Sequence, residues 1–447
     1  MFSRYLYSNY RLVSALTHRF SHRVTPTGWV VMASMLVAAA LGMDTNLSLA
    51  HQAFALLGCL LLAAIAGRIL QRGKFAVQRV LPRYASVGEP MSYTVRVENR
   101  TRRPQRGLTL MENVPDPRPT FEEFTTTPEP GEEKRNWLDR TYGYYRWQWL
   151  IRQNKRAEVS EKLLPALPSR GQAETRMELT PLRRGLLHLE SLTLASPEPL
   201  GLFCAMKHIP APGSVLVLPR RYPVPPIQLP GLMKYQAGGV AMAGSVGESE
   251  EFVALREYRP GDPLRRIHWK SFAKMARPIV KEFQEEFFVR HALVLDTFCP
   301  PSRAAAFEDA VSVAASFACT VQTQDSLLDL MFVGPKAYCF TSGRGVGHLE
   351  QMLEILASVQ RCPTEDFHLL QRIVVEHAGD VSGCICVFVE WDEPRQKIVE
   401  QLKGMGVPLL VLVVLEEGRE VDPATTAGAD RFHVVRVGKV GESLAAL

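Results

Sequence analysis

Two long apolar runs near the start of the chain limit its possible folds more than any other feature of the sequence. Residues 27–43 carry no charged side chain, and residues 47–67 form a second run in which only His51 titrates near neutral pH. A membrane-spanning helix needs about 20 apolar residues, within a range of roughly 17–25. The first run is at the lower limit and the second is long enough, with only residues 44–46 between them. The sequence therefore predicts a transmembrane helix hairpin over residues 26–68.

Basic residues flank both runs, whereas the short turn between the runs carries none. They are Arg4, Arg11, Arg19 and Arg23 before the first run, and Arg68, Arg72, Lys74, Arg79 and Arg83 after the second. Positive residues stay on the cytoplasmic side of a membrane, so we expect a two-pass protein of the bacterial inner (cytoplasmic) membrane with both termini cytoplasmic. A cleaved signal peptide is disfavoured, because its apolar region is only about 7–15 residues long and a second span follows here at once.

Residues 1–25 form a basic amphipathic segment without an acidic side chain. Its apolar residues recur at helical spacing: Phe2, Leu6, Tyr10, Val13, Leu16 and Phe20. This pattern is typical of a helix that lies on anionic lipid, although a mitochondrial transit peptide has a similar composition. The two apolar runs that follow favour the interfacial helix.

The period of the apolar residues changes after the second run. Residues 91–99 alternate between apolar and polar side chains, as expected for a half-buried strand. Further short strand candidates, separated by Pro and Gly, lie at residues 108–111, 175–179, 186–194 and 214–217. We therefore expect a β-sandwich-like module over residues 69–220 and a Gly- and Ala-rich linker over residues 221–250.

Residues 119–160 depart from this pattern, because Tyr and Trp side chains there are interleaved with Arg and Lys. Three interpretations are open. The aromatic rings stack on single-stranded nucleic acid, or they contact a protein partner or lipid headgroups. Alternatively, the segment is a strand pair whose rings face the core of the module itself, and this is the interpretation that we favour.

A dense cluster of charged and aromatic residues follows the linker. We expect the signature or interface residues to be Arg256, Glu257, Tyr258, Gly261, Asp262, Arg265, Arg266, Trp269 and Lys270. Pro260-Gly261 predicts a turn, after which Asp262 caps a helix that begins at Pro263. Arg266, Lys270 and Lys274 then form a basic stripe that binds phosphate or an acidic partner, or else the arginines pair with Glu257 and Asp262. The second alternative is favoured, since densely packed charges often form a satisfied network.

The same stretch resembles the hallmark of the domain-of-unknown-function family numbered 58, which is an Arg-Glu-Tyr, a Gly-Asp and then Arg-x-Ile-x-Trp-Lys. Three further elements are similar, namely Arg184-Gly185, residues 199–203 (Pro-Leu-Gly-Leu-Phe) and residues 217–220. The resemblance implies a membrane-anchored partner of a MoxR-type AAA+ ATPase, often alongside a transglutaminase-like membrane protein. It also implies a C-terminal α/β domain similar to the von Willebrand factor A fold, which is Rossmann-like.

Residues 251–447 fit that expectation, because apolar strands alternate with amphipathic helices, as in a mostly parallel sheet covered by helices. The von Willebrand factor A fold often holds Mg²⁺ through Asp-x-Ser-x-Ser after its first strand. Here Asp296 is present, but Phe298 and Pro300 replace both serines and offer no side-chain oxygen. Asp392 is a distal candidate ligand. Two carboxylates make a poor set for a hard cation, so we expect a degenerate site without a metal.

No motif for catalysis or for a cofactor stands out, such as a P-loop, His-Glu-x-x-His or Cys-x-x-Cys. The eight cysteines form no paired framework, which favours a reducing compartment, and a formal net charge of +6 does not by itself imply nucleic acid. We therefore expect a non-enzymatic scaffold or assembly factor with protein and bilayer partners. The alternatives are a metal-dependent ligand-binding protein that uses Asp296, and a nucleic-acid or phosphate binder that uses the basic helix at residues 265–277.

Overall fold

The chain divides into two compact units, Met1–Leu218 and Pro219–Leu447. The computed structural model describes the chain in fourteen stretches; these are residues 2–21, 23–41, 48–70, 73–225, 236–237, 250–262, 264–285, 287–288, 290–300, 303–322, 327–342, 346–362, 367–426 and 428–447. The predicted turn at residues 44–46, most of the linker and Pro263 lie outside these residues. The two units are described separately.

The first unit begins with three helices, α1 (Phe2–Ser21), α2 (Pro26–Leu41) and α3 (Ser48–Leu70). Within α3, the 19 residues Leu49–Gly67 have a mean hydropathy of 2.0 and are only 6% buried. By length and composition this helix is able to cross a membrane, whereas the apolar α2 is shorter, with 16 residues. Helix α2 packs against α3.

A turn organised by Glu198 holds both helices against the rest of this unit. The buried Glu198 carboxylate accepts the backbone N–H groups of Leu200 at 2.7 Å and Leu202 at 2.6 Å. The Leu202 carbonyl oxygen lies so close to α2 that a Cβ added to Gly28 would be 2.3 Å from it. A Cβ at Gly67, near the end of α3, would lie 3.5 Å from the Cδ of Pro199. The segment at residues 199–203 is therefore where the apolar helices attach.

The module that follows has two sheets. Its elements are β1 (Phe75–Val80), β2 (Tyr84–Ser86), β3 (Met91–Asn99), β4 (Thr109–Asn113), α4 (Phe121–Thr126), α5 (Trp137–Tyr142), α6 (Tyr144–Asn154), β5 (Ala157–Val159), β6 (Lys162–Leu163), β7 (Gln172–Pro181), β8 (Gly185–Pro197) and β9 (Cys204–Leu218). One sheet has the order β1-β3-β7-β5 and the other β2-β9-β8-β4-β6. Alternate residues of β3, such as Val95 and Val97, are fully buried in a core shared with Leu110, Leu192 and Val215 of the second sheet.

The segment at residues 119–160 was expected to contain a strand pair, and this expectation is wrong for most of it. Residues 121–154 form the three helices α4, α5 and α6, which we call the helical insert. Phe124, Trp147 and Leu150 make a small core of their own, separate from the core of the two sheets. The spacing of Trp147 and Leu150 places both on one helical face, and Tyr7 and Tyr10 of α1 pack against that face.

The second unit alternates strands and helices. Its elements are β10 (Gln236–Ala237), β11 (Glu250–Glu257), α7 (Trp269–Met275), β12 (Ile279–Glu285), β13 (Phe287–Phe288), β14 (Arg290–Leu295), α8 (Ala304–Gln322), β15 (Leu327–Val333), β16 (Ala337–Ser342), α9 (Val346–Ser358), α10 (His368–His377), β17 (Gly383–Phe388), α11 (Glu393–Gly404), β18 (Leu409–Leu415), β19 (Arg431–Arg436) and α12 (Val440–Ala445). The main sheet has the order β16-β15-β14-β17-β18-β19, and only β16 is antiparallel to its neighbour.

This sheet and its helices have the predicted alternation of strands and helices. The strand order reverses at β14. Strands β15 and β16 lie on one side of β14, whereas β17, β18 and β19 follow on the other side. In open α/β sheets, the crevice at the carboxyl ends of two such strands is the usual place for a ligand. Asp296 follows β14 directly at this position.

Candidate functional sites

The signature residues lie on a hairpin and on the loop that it carries. Strands β11 and β12 pair in antiparallel fashion, and residues 258–278 connect them. The loop is closed at its base by two backbone hydrogen bonds, from Tyr258 N–H to the Pro278 carbonyl at 2.9 Å and from His268 N–H to the Ile279 carbonyl at 2.8 Å. The loop is therefore fixed by its own backbone.

Arg256 and Asp262 form a two-point ion pair at this loop. Both terminal nitrogens of the guanidinium donate to the carboxylate, at 2.7 and 2.8 Å, and the Arg259 N–H donates to the same carboxylate at 2.8 Å. These hydrogen bonds, that of Arg256 first, lower the pKa of Asp262 to about 2. Asp262 therefore stays ionised and holds the turn at Gly261, where φ is +109°.

The helix predicted to begin after Asp262 is interrupted. A 3₁₀ turn covers Leu264–Arg266, and the α-helix α7 starts only at Trp269, after His268. Lys270 and Lys274 thus share a helix that does not include Arg266, whose side chain lies outside the described part of the chain. The predicted continuous basic stripe is wrong for this reason. Asp262 binds Arg256 and the Arg259 N–H. The predicted helix start at Pro263 lies outside the described residues.

The second acid of the signature, Glu257, also pairs with an arginine, as the favoured alternative of paired arginines expects. Glu257 pairs with Arg277 at 3.0 Å, and both side chains are exposed. Tyr258 is half-buried, whereas Arg265 and Lys270 are exposed.

Large apolar side chains of the signature face outward. Trp269 and Met275 are each 63% exposed, Leu264 is 67% exposed and Phe272 is 38% exposed. The rings of Trp269 and Phe272 meet edge to face with their centroids 5.9 Å apart. We call these four residues the signature face. Trp is usually well buried, so an exposed Trp beside Phe and Met marks a surface suited to contact with a partner.

The second candidate site lies at the carboxyl ends of β14 and β17, where Asp296 is fully buried. Its carboxylate accepts the Phe298 N–H at 2.9 Å and the Val389 N–H at 3.3 Å. The Arg395 Nε also donates to it, at 2.9 Å. Burial raises the pKa of the Asp296 carboxyl, and the Arg395 charge opposes that rise only in part.

Arg395 connects every group that was considered for metal binding. Its Nη1 donates to Asp392 at 2.5 Å and its Nη2 to the Phe298 carbonyl at 3.1 Å, while its guanidinium lies 4.6 Å from the centre of the Phe367 ring. Burial disfavours the charged guanidinium, but the two carboxylates raise the pKa of Arg395 above its ordinary value. The site thus holds a permanent cation from the chain itself, placed between the two predicted ligands.

The sequence interpretation missed Arg395, although a signal was present. On α11 the buried residues are Arg395, Ile398, Val399 and Leu402, which is the spacing of an apolar stripe with an arginine at its first position. A charged residue at a core position requires a partner in the fold. Among the residues that the structure describes, no group of three His, Cys, Asp or Glu side chains is arranged to hold a metal ion.

Comparison with known proteins matches residues 254–374 to the model of DUF58, a family of unknown function, and so confirms the resemblance over that segment. The matched segment contains the signature and Asp296 but ends before Asp392 and Arg395. A relative, the uncharacterized protein YeaD of Bacillus subtilis (strain 168), is 26% identical over 209 residues, which are 46% of this chain and 50% of that protein. The chain thus spans about half the length of that relative.

Two solved structures match the chain with low similarity. A CARDB domain from Pyrococcus furiosus, crystallised with di-metal ions, matches with a TM-score of 0.18 and 10% identity, over 33% of this chain and 90% of that one. A transglutaminase of red sea bream matches with a TM-score of 0.17 and 14% identity, over 33% of this chain and 15% of that one. Similarity this low supports no argument about function.

Proposed function

We propose that this protein is a membrane-anchored, non-enzymatic scaffold or assembly factor that works with a MoxR-type AAA+ ATPase in a cell-envelope or protein-maturation complex. The observation that carries the proposal is the signature face, with Trp269, Phe272 and Met275 exposed on a loop that the Arg256–Asp262 pair keeps in place. Aromatic residues and Met are enriched in protein interfaces, and Trp is frequent among the residues that dominate binding energy. A preorganised loop also loses little conformational entropy on binding.

The charges around the signature face indicate the kind of surface that it contacts. Lys270 and Lys274 of α7 are exposed, and the neighbouring acid Asp262 is already paired with Arg256. The surroundings of the apolar residues are therefore basic. A complementary partner has an apolar groove with an acidic rim, which would also increase the rate of association.

The proposed anchor is a two-pass helix hairpin formed by α2 and α3 in the bacterial inner membrane, with both termini in the cytoplasm. Support comes from the apolar surface of α3, from its contact with α2 and from the basic residues at both flanks. We further propose that the second unit is a von Willebrand factor A-like domain. If its main-sheet strands β14 to β19 are numbered 1 to 6, their order in the sheet is 3-2-1-4-5-6, and the third strand, β16, is antiparallel. Other membrane proteins, such as a transglutaminase-like protein, complete the proposed complex.

Two observations weigh against the alternative functions. Both carboxylates that a metal-dependent ligand binder would use, Asp296 and Asp392, are paired with Arg395. A nucleic-acid or phosphate binder would use the basic residues 265–277, but the break before α7 leaves only Lys270 and Lys274 on one helix. Two lysines contribute few of the phosphate contacts that nucleic-acid binding requires.

Direct binding tests the proposal. The full chain in lipid nanodiscs is titrated with the purified MoxR-type ATPase of the same organism, and the dissociation constant is measured by biolayer interferometry. We expect Trp269→Ala and Phe272→Ala each to weaken binding at least about tenfold, as for residues at the centre of an interface. Trp137→Ala is the control, since Trp137 is 72% exposed on the other unit. Absence of binding by the unmodified chain, or equal loss in the control, would overturn the proposal.

A further inference from the structure

A cleft of about 410 Å³ lies between helix α1 and the residues that lead into α4. Three arginines line it, Arg4 and Arg11 from α1 and Arg118 from the opposite wall, together with the hydroxyl side chains of Tyr7 and Ser8. The sequence interpretation treated residues 1–25 and 119–160 separately. The fold brings them together to form this cleft.

The cleft has a surplus of positive charge. Arg118 pairs with Asp116 at 3.2 Å, and Asp116 also lines the cleft. Arg4 and Arg11 have no carboxylate partner within the described part of the chain. Arg11 only donates to the Tyr7 hydroxyl at 3.5 Å, and Arg4 lies 6.0 Å from the centre of the Phe121 ring. Two arginines are thus available to an anion.

The helical insert fixes the walls of the cleft. The Tyr7 hydroxyl donates to the Pro119 carbonyl at 3.2 Å, and the Tyr10 hydroxyl donates to the Tyr142 carbonyl at the same distance. The Tyr7 ring meets Trp147 edge to face at 5.7 Å, and Trp147 is only 3% exposed. Helix α1 therefore rests on a packed support, and the positions of its arginines do not depend on a ligand.

An apolar stripe lies on the side of α1 that the helical insert leaves uncovered. Tyr5, Leu12 and Leu16 are 65%, 60% and 43% exposed and share one face at helical spacing. This stripe adjoins the face that bears Arg4 and Arg11. Helix α1 ends at Ser21 and α2 begins at Pro26, so the helix that carries the stripe and the basic edge of the cleft leads directly into the apolar helices.

We propose that this cleft binds the headgroup phosphate of an anionic phospholipid, whose acyl chains lie along the stripe formed by Tyr5, Leu12 and Leu16. Guanidinium groups bind phosphate oxygens through paired hydrogen bonds, and basic pockets beside membrane helices are suited to anionic headgroups. The inference rests on the membrane attachment proposed above and is independent of the ATPase. In this proposal the function of the helical insert is to position α1, so that the arginines and the apolar stripe of α1 face the lipid.

The test uses the full chain, delipidated in a neutral detergent and titrated with dihexanoyl-phosphatidylglycerol below its micelle concentration by calorimetry. Dihexanoyl-phosphatidylcholine and inorganic phosphate are titrated in parallel. We expect saturable binding of phosphatidylglycerol, at least about tenfold tighter than either comparison compound, and a loss of at least about tenfold in the Arg4→Gln/Arg11→Gln variant. Arg152→Gln, which removes an exposed arginine of α6 outside the cleft, should bind as the unmodified chain does.

Three results would overturn this inference. Equal affinity for phosphatidylcholine would show that charge plays no part, and equal affinity for inorganic phosphate would show a site for the free anion instead of a lipid. Unchanged binding by the double variant would exclude the cleft. If that variant fails to fold, Arg118→Gln in the opposite wall is measured against the same criterion. The readout needs no ATPase, so its failure is distinct from a failure of the proposed function.

Discussion

Replacing Arg395 by Met should expose the energetic role of the ion pair at the end of β14. The Asp296 side chain is fully buried, so without the guanidinium it keeps only the N–H groups of Phe298 and Val389 as donors. Asp392 loses less, because its side chain is 37% exposed and water solvates it. Removing one partner of a buried ion pair costs about 3–5 kcal/mol of stability. Protonation of Asp296 limits the loss, so we expect about 3 kcal/mol near neutral pH.

Hydrogen exchange read by mass spectrometry on the full chain measures this loss locally. A decrease of about 3 kcal/mol in the free energy of opening corresponds to roughly 150-fold faster exchange of the most protected amides of β14 and β17. Lys397→Met on the same helix is the matched control, since its pair with Glu393 is exposed to solvent and should contribute little to stability. The Asp296→Asn/Arg395→Met double variant should recover much of the protection, because no unpaired buried charge remains and Asp392 is solvated.

The pH dependence of the loss has a definite sign. Burial raises the pKa of Asp296 above its ordinary value of 3.8, and removing the nearby cation raises it further. Below the ordinary value the carboxyl is protonated with or without Arg395, so the loss of stability in the Arg395→Met variant is smallest there. It grows as the pH rises through the folded-state pKa. If exchange in Arg395→Met is no faster than in Lys397→Met at neutral pH, the reasoning about this ion pair is wrong.

Two further predictions follow from the signature loop and from the apolar helices. In Arg256→Gln, the pKa of Asp262 should rise from about 2 toward its ordinary 3.8, measured by ¹³C NMR of labelled Asp; an unchanged titration would show that Arg256 does not hold the turn. Since the native pKa is lowered, the stabilisation by Asp262 is present above about pH 4 and is lost as the pH falls toward 2. Gly28→Ala should lower stability by about 1–3 kcal/mol, because the added Cβ meets the Leu202 carbonyl oxygen. Gly58→Ala in α3 is the control: no atom lies within 4 Å of the added Cβ, so thermal unfolding should show a neutral or stabilising effect. Equal behaviour of the two alanines would contradict the close approach.

The sequence predicted those parts of the fold in which local periodicity and burial agree. Strand β3 has the bounds expected from its alternation, residues 91–99, because one of its faces forms the core and the other is solvated. The central strands β17 and β18 of the second unit were recognisable as short apolar runs for a related reason. They are buried on both faces of a parallel sheet, so nearly all their side chains are apolar.

The helical insert and the environment of Asp296 were not predictable in this way. The aromatic residues around Tyr144 follow a pattern that also fits a strand. Tyr142 and Trp147 contact α1, more than 110 residues earlier in the chain, and this packing favours the helix. The partner of Asp296 is likewise 99 residues away, at Arg395. Contacts between residues so far apart in the chain produce no periodic pattern in the sequence. The one sequence signal for the Asp296 site was Arg395, an arginine within the otherwise apolar stripe of α11.

The attachment of the apolar helices at the Glu198 turn has a mechanical consequence. Gly28 at the start of α2 and Gly67 near the end of α3 meet the same few residues of the two-sheet module. A tilt or rotation of the helix pair must either break the hydrogen bond from Thr25 N–H to the Leu202 carbonyl, 3.1 Å long, or carry the module with it. The helix pair and the two-sheet module are therefore expected to move together, and the helices do not rotate freely relative to the module. If the helix pair crosses a bilayer as proposed above, the angle at which it crosses would set the direction in which the module points.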